Sequence, residues 1–97
     1  MPTYIVLMKL TEEGIKTIKD APQRVKENAQ NMEKVKGKMK GFWLTMGEYD
    51  YVAIGEAPND DIAMTFMLGM GAQGFVRTTT LKAFSLEEFE KIVKNLP

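Results

Sequence analysis

The chain has 97 residues, a length that allows one domain and no second. Its 13 basic side chains balance 13 acidic ones, which excludes the strongly basic field typical of nucleic-acid-binding domains. It contains no cysteine and no histidine, so disulfides, thiolate nucleophiles, Ser-His-Asp triads and Cys- or His-based zinc sites are excluded. No apolar run approaches the ~20 residues of a membrane span, and no export signal is visible. We expect a cytoplasmic protein without a metal, a cofactor or a membrane partner.

The first third of the chain predicts a strand and then a helix. Residues 3–10 are apolar on both alternating sides, which is typical of a strand covered on both faces. Asp20, followed three residues later by Gln23, resembles a capping box that would begin a helix, and we expect Gly37 to end it. The apolar stripe of this helix consists of Val25, Ala29, Met32 and Val35.

The middle of the chain predicts a hairpin followed by a second long helix. Residues 39–46 and 49–57 have the composition of strands, joined by a tight turn at Gly47 and Glu48. Residues 59–61 supply a cap and an acidic first turn. We expect the glycines at positions 69, 71 and 74 to end this helix, whose buried side would carry Ile62, Ala63, Phe66, Met67 and Met70.

The last third predicts a strand over residues 75–84 and a final helix opened by a capping box from Ser85 to Glu88. Its inward side would carry Leu86, Phe89, Val93 and Leu96. The resulting β-α-β-β-α-β order plus a C-terminal helix is the ferredoxin-like α+β pattern, as a single domain over residues 1–97. We expect the third strand at an edge of the sheet. Because the strands are apolar on both faces and the two main helices cover one, we predict a homodimer packed sheet against sheet.

Three further patterns have ordinary explanations. Residues 69–74 match GxGxxG, but a helix precedes them and a strand follows, the reverse of a dinucleotide site, so we predict no nicotinamide cofactor. Four lysines between positions 34 and 40 are best explained as a solvated helix end rather than a phosphate-binding run. The eight methionines favour core filling, with a plastic binding pocket as the alternative.

Asp50 and Arg77 are the strongest candidates for a polar site, because each lies in a predicted strand that is otherwise apolar. Arg77 is followed by three threonines, and an arginine is suited to bind a carboxylate or phosphate with two hydrogen bonds. A structural role at a dimer interface and a small-anion site are both consistent with this pattern. The predicted strand order does not by itself bring Asp50 into contact with Arg77.

Residues 47–50, with the sequence Gly-Glu-Tyr-Asp, resemble the motif of the GYD family of small bacterial and archaeal proteins. The opening residues 4–11, the segment 76–80 and Phe84 are similar to that family as well, so the resemblance covers essentially the whole chain. It implies a dimeric α+β barrel. A weaker similarity, in the G-x-Y-D hairpin and the later V-x-T-x-T strand, extends to the effector-binding domain of the leucine-responsive regulator family, which binds amino acids between subunits.

Two classes of function follow from these observations. The first is a non-enzymatic binding or assembly module that holds a small anionic or amino-acid-like ligand near a subunit interface. The second is a small dimeric-barrel enzyme, similar in fold to cofactor-free monooxygenases and isomerases, in which Trp43, Tyr49 or Asp50 would act in a pocket. The absence of histidine favours the first class. The candidate ligand-binding residues are Trp43, Tyr49, Asp50, Arg77 and Thr78.

Overall fold

A four-stranded antiparallel sheet forms the centre of the molecule in the computed structural model, which describes residues 1–97. Its strands are β1 (Thr3–Leu10), β2 (Lys38–Leu44), β3 (Tyr51–Glu56) and β4 (Val76–Ala83). They lie in the order β2-β3-β1-β4, and this confirms the predicted ferredoxin-like α+β class. The expected edge position of β3 is wrong. Both neighbours of β3 pair with it through backbone hydrogen bonds, and β2 and β4 form the edges.

Two long helices, α2 (Ala21–Lys34) and α3 (Asp60–Gln73), lie over one face of this sheet. A short helix α1 (Glu12–Lys16) and a single 3₁₀ turn (Ile18–Asp20) connect β1 to α2, and α4 (Leu86–Lys94) follows β4. Alternate residues of the two central strands, among them Val6, Met8 and Ala53, are buried beneath the helices. None of the helices combines the length and apolar character that crossing a bilayer requires.

The ends of α2 differ from the prediction. The side chain of Asp20 makes no capping hydrogen bond, because the preceding residues form a 3₁₀ turn and leave Asp20 in a helical conformation. At the other end Lys36, not Gly37, takes the left-handed conformation, with φ of 64°. The Gly37 amide donates to the carbonyl of Met32, completing a Schellman motif. The reason for a glycine at position 37 is steric, since a Cβ there would lie 2.9 Å from the Glu56 carbonyl oxygen.

Helix α3 begins as predicted, with the Asn59 side chain accepting a hydrogen bond from the Ile62 amide. It continues through Gly69 and Gly71, so neither of these glycines ends it. Gly74, with φ of 87°, is the residue at which the helix stops. The GxGxxG segment therefore occupies the end of a helix that is followed by a strand, which confirms the reversed order inferred from the sequence.

The capping box of α4 is present, with hydrogen bonds between Ser85 and Glu88 in both directions. The prediction that the apolar side of α4 packs against the rest of its own chain is wrong. Leu86 is 71% exposed and Phe89 57% exposed, and the helix makes few contacts with the rest of the molecule. The physical reason is that α2 and α3 already occupy the inner face of the sheet. Helix α4 instead projects from an elongated domain measuring 52 × 31 × 19 Å.

The connection between β2 and β3 is wider than a two-residue turn. Both strands are shorter than predicted, and residues 45–50 form the loop. Thr45 closes this loop, because its amide donates to the Asp50 carbonyl at 2.8 Å and its hydroxyl donates to the Tyr49 carbonyl at 2.6 Å. Gly47 lies at the tip with φ of 104°, as expected of a glycine that serves the turn.

Candidate functional site

Asp50 and Arg77 lie on opposite sides of the end of β1. The Asp50 carboxylate accepts a hydrogen bond from the Leu10 amide at 2.8 Å, which extends the pairing of β1 beyond the end of β3. Arg77 is paired in register with Lys9 on the other side, and its guanidinium donates to the carbonyls of Gly71 and Val76. The structure thus brings both residues to one end of the sheet without joining them.

The other three predicted site residues lie apart from each other. Trp43 is exposed on the face of the sheet away from the helices, and its ring lies over Gly41. Tyr49 is in the hairpin loop, where the Lys9 ammonium is 5.4 Å from the centre of its ring. Thr78 is half-buried and lies opposite Met8 on the side that faces the helices. The five residues form no common pocket, and their role in ligand binding remains a prediction.

The face of the sheet opposite α2 and α3, called the outer sheet face below, carries no helix. Its register places apolar side chains of all four strands side by side. Trp43 and Leu81 on the edge strands are among the exposed large hydrophobic residues of the chain. The apolar members of the outer sheet face are Ile5, Leu7, Trp43, Val52, Ile54 and Leu81. An uncovered apolar sheet of this kind marks an interaction surface.

A cavity of about 90 Å³ lies on the opposite side of the sheet, between the strands and helices α2 and α3. Its walls are almost wholly apolar, and Arg24 is the one charged residue among them. The Arg24 guanidinium lies 3.9 Å from the centre of the Phe75 ring, another wall residue. A groove between α2 and α3, lined by polar residues such as Asn31 and Thr65, shares Asn28 and Met70 with the cavity and opens it to solvent.

The two buried tyrosines of the cavity have perturbed acidity. Burial, together with a hydrogen bond to the Asp60 carboxylate, raises the pKa of Tyr4 to about 12. The same hydrogen bond and a second one from Lys82 lower the pKa of Asp60. Burial also raises the pKa of Tyr51, and the positive charge of Arg24 opposes that rise. Both tyrosines are therefore neutral hydrogen-bond donors at physiological pH.

Sequence reasoning missed Arg24 and Tyr51, although a signal for Arg24 was present. Arg24 lies three residues after buried Ala21 and four before Asn28, so helical spacing places it within the inward side of α2. A charged residue in an inward stripe needs a polar or charged partner. Nothing comparable marks Tyr51, since a tyrosine in a strand is ordinary.

A family model described as GYD domain matches residues 4–93 of the chain. The chain belongs to the GYD domain family. The region matched includes the hairpin with Gly47, Tyr49 and Asp50, on which the resemblance was first recognised. The family assignment made from the sequence is confirmed.

Two proteins of Thermus thermophilus are similar to this GYD domain. One is named glutamine synthetase and cystathionine beta-lyase binding protein; it is 35% identical over 89 residues, covering 91% of this chain and 94% of the relative. The other is a solved crystal structure with 23% identity and a TM-score of 0.50, covering 88% of this chain and 95% of that one. The second likeness supports the α+β fold alone.

Proposed function

We propose that this GYD domain is a non-enzymatic binding module that works as a homodimer and binds metabolic enzymes. The observation that carries the homodimer is the large apolar surface left uncovered by a single chain, on the outer sheet face and on α4. The enzyme partners rest on the Thermus relative. The alternative of a small enzyme gains no support, because Trp43 lies on the outer sheet face, apart from the loop that holds Tyr49 and Asp50. The prediction of a cytoplasmic location is part of this proposal.

A second copy of the chain is the occupant that best fits the outer sheet face. Two such faces can pack about 10 Å apart with their side chains interdigitated, in the manner of sheet-on-sheet packing. A twofold arrangement presents the same apolar strands to each other, so one surface is sufficient for both copies. Stable interfaces bury about 800 Å² on each partner, and the exposed apolar residues of α4 add to the area that the outer sheet face supplies.

Helix α4 presents a second apolar surface that a single chain leaves uncovered. Its exposed apolar residues are Leu86, Phe89, Ile92 and Val93, and exposed Leu96 follows two residues after its end. Its charged residues are Glu87, Glu88, Glu90, Lys91 and Lys94. An amphipathic helix that does not pack on its own domain gains stability by covering another apolar surface. In the proposed dimer, α4 of each copy packs across the other copy.

The enzyme partner is suggested by the Thermus relative. Its name states that it binds glutamine synthetase and cystathionine beta-lyase. Because the alignment covers nearly the whole of both chains, the binding named there resides in a domain equivalent to this one. We therefore propose that the present GYD domain binds the same two classes of enzyme.

The test uses the purified protein and the glutamine synthetase and cystathionine beta-lyase of its source organism, each immobilised for surface-based binding measurements. Saturable binding to at least one enzyme is the expected result, with no binding to an unrelated enzyme of similar charge. Replacing Phe89 and Val93 together by serine should weaken dimerisation, whereas Lys91→Ser on the opposite side of α4 should not. Absence of binding to both enzymes would reject the assignment of these partners.

A further inference from the structure

The cavity beneath α2 and α3 exists because small residues line the inner face of the sheet and the helices above it. Ala53 and Gly55 on β3 lie below the cavity, and Ala29 and Ala63 line it from α2 and α3. No large side chain of the chain is completely excluded from solvent, so the helix layer does not close the space. An apolar space of this kind can take up apolar groups.

Methionines give one end of this cavity room to adapt. The terminal methyl of Met32 lies 3.0 Å from the position that a Cβ on Gly55 would occupy, so it rests directly on the glycine. Methionine side chains are flexible and repack around ligands of different shape. Met67 and Met70 line the cavity from α3 and border the core cluster of the sheet. The volume of about 90 Å³ can therefore expand when a guest enters.

Arg24 provides a positive charge without a matching carboxylate. None of the four salt bridges of the molecule involves it, and its only polar contact is a long hydrogen bond of 3.4 Å to the Thr17 carbonyl. The carboxylate of Asp50, which also influences Tyr51, is already engaged by the Leu10 amide and does not line the cavity. An arginine in this setting is suited to bind a carboxylate in a bidentate manner.

The remaining polar groups of the cavity distinguish an acid from an amino acid. Tyr51, in electrostatic reach of Arg24, keeps a neutral hydroxyl that can donate a hydrogen bond to an anion. Asp61 lies in the adjoining groove, but no Asp or Glu lines the cavity itself, so a ligand ammonium group inside the cavity would find no opposite charge there. The electrostatics thus favour a monoanion and disfavour a cation or a zwitterion.

We propose that this cavity binds a monocarboxylate with a short apolar tail. The carboxylate lies against Arg24 near Phe75, with the Tyr51 hydroxyl in reach, and the tail lies among the alanines and methionines. An apolar cavity of roughly 150 Å³ accepts a benzene molecule, so the space of about 90 Å³ here must expand by movement of its methionines to hold a tail of about five carbons. The cavity is on the other side of the sheet from the outer sheet face, so ligand binding and dimerisation can be tested separately.

Hexanoate is the probe for this proposal, with hexylamine and hexanol as its cationic and neutral counterparts. Ligands this small bind in the micromolar to millimolar range, so titration to about 10 mM is needed. Following amide resonances of the protein by NMR, we expect saturable shifts at Ala29, Ala53 and Met67 with hexanoate. Hexanol should bind at least tenfold more weakly, and hexylamine should give no saturable shift.

One matched pair of variants and one single variant test the assigned residues. Arg24→Met should raise the dissociation constant of hexanoate at least tenfold, whereas Lys26→Met, an exposed lysine on the same helix, should change it less than twofold. Ala29→Leu should fill the cavity and abolish binding, with unchanged or raised thermal stability. Equal binding of hexanoate and hexylamine, equal effects of the two methionine variants, or no shift at all in the wild-type protein would overturn the proposal. None of these outcomes depends on whether an enzyme binds.

Discussion

Gly47 is a residue whose backbone can be tested directly. Its φ of 104° is strained for a residue with a Cβ, although no atom lies within 4 Å of the position that a Cβ would take. Gly47→Ala should therefore lower the free energy of unfolding by about 1 kcal/mol through the backbone alone. Urea unfolding followed by circular dichroism measures the change.

A second glycine supplies the matched control. Gly69 lies inside α3 with a helical backbone and equally open space around it. Gly69→Ala should raise the free energy of unfolding by about 0.5–1 kcal/mol, because alanine favours the helix and restricts the unfolded chain. If both substitutions had the same sign, left-handed backbone strain at Gly47 would no longer explain its effect.

Two substitutions distinguish a structural role of Asp50 from a ligand-binding role. Asp50→Ala removes the acceptor of the Leu10 amide and should lower stability by about 1–3 kcal/mol. Asp50→Asn keeps an acceptor oxygen and should cost less. If Asp50 serves a ligand, its asparagine variant should lose the thermal shifts that small carboxylates or phosphates produce in the wild type, with the dimer intact. An unchanged ligand response in this variant would leave Asp50 with its structural hydrogen bond alone.

The Tyr4–Asp60 pair predicts how stability depends on pH. The pKa of Tyr4 in the folded protein, about 12, is above its ordinary value of 10, so the neutral form is favoured by folding. The contribution of Tyr4 to the free energy of unfolding is complete below pH 10 and is lost as the pH rises from about 10 to 12. The pKa of Asp60 is lowered, so its contribution is present above its ordinary pKa of 3.8 and is lost as the pH falls further.

Tyr4→Phe is the variant that checks the alkaline half of this dependence. It should lower stability at neutral pH by about 1 kcal/mol through loss of the hydrogen bond to Asp60. Urea unfolding at about pH 9 and about pH 11 should reveal a smaller decline in the free energy of unfolding between these two pH values for the variant than for the wild type. Identical declines in the two proteins would show that Tyr4 does not cause the alkaline loss.

At the scale of elements, α4 is a helix whose start is fixed locally and whose position is not. The capping box satisfies two backbone donors at its first turn, and this requires only residues 85–88. Ser85→Ala should lower the stability of the helix by about 1 kcal/mol. Amide hydrogen exchange of α4 should accelerate, while exchange in β1 and β3 should stay unchanged. Equal acceleration throughout the sheet would mean that α4 unfolds together with the whole domain.

At the scale of the whole molecule, the uncovered outer sheet face predicts the oligomeric state. Sedimentation equilibrium at micromolar concentration should give twice the chain mass of 11.0 kDa. Val52→Lys would place a charge at the centre of that face and should produce monomers, because an unpaired charge is costly in an apolar interface. Lys9→Glu at its margin changes an exposed charge and should leave the dimer intact. A stable wild-type monomer would exclude the sheet-to-sheet arrangement.

The sequence by itself determined the order of elements, the family and the caps of α3 and α4. The elements and their caps depend on local physics: the continuous apolar run of β1, the Asn59 side chain at its own helix start, and the Ser85–Glu88 pair within one turn. Each signal acts over only a few residues, so it could be interpreted without knowing where the rest of the chain lies. The prediction that Gly47 serves the turn succeeded for the same reason.

Only the tertiary structure decided which strand is central, where α4 lies and which residues surround the cavity. The pairing of β1 with β3 joins residues more than 40 positions apart in the chain, and no local pattern specifies it. Helix α4 has an apolar stripe that predicts burial, but α2 and α3 already cover the inner face that it would need. Arg24 and Tyr51 meet at one cavity because a helix and a strand from different parts of the chain pack together. Local propensity fixes each element, whereas long-range packing fixes which side chains meet.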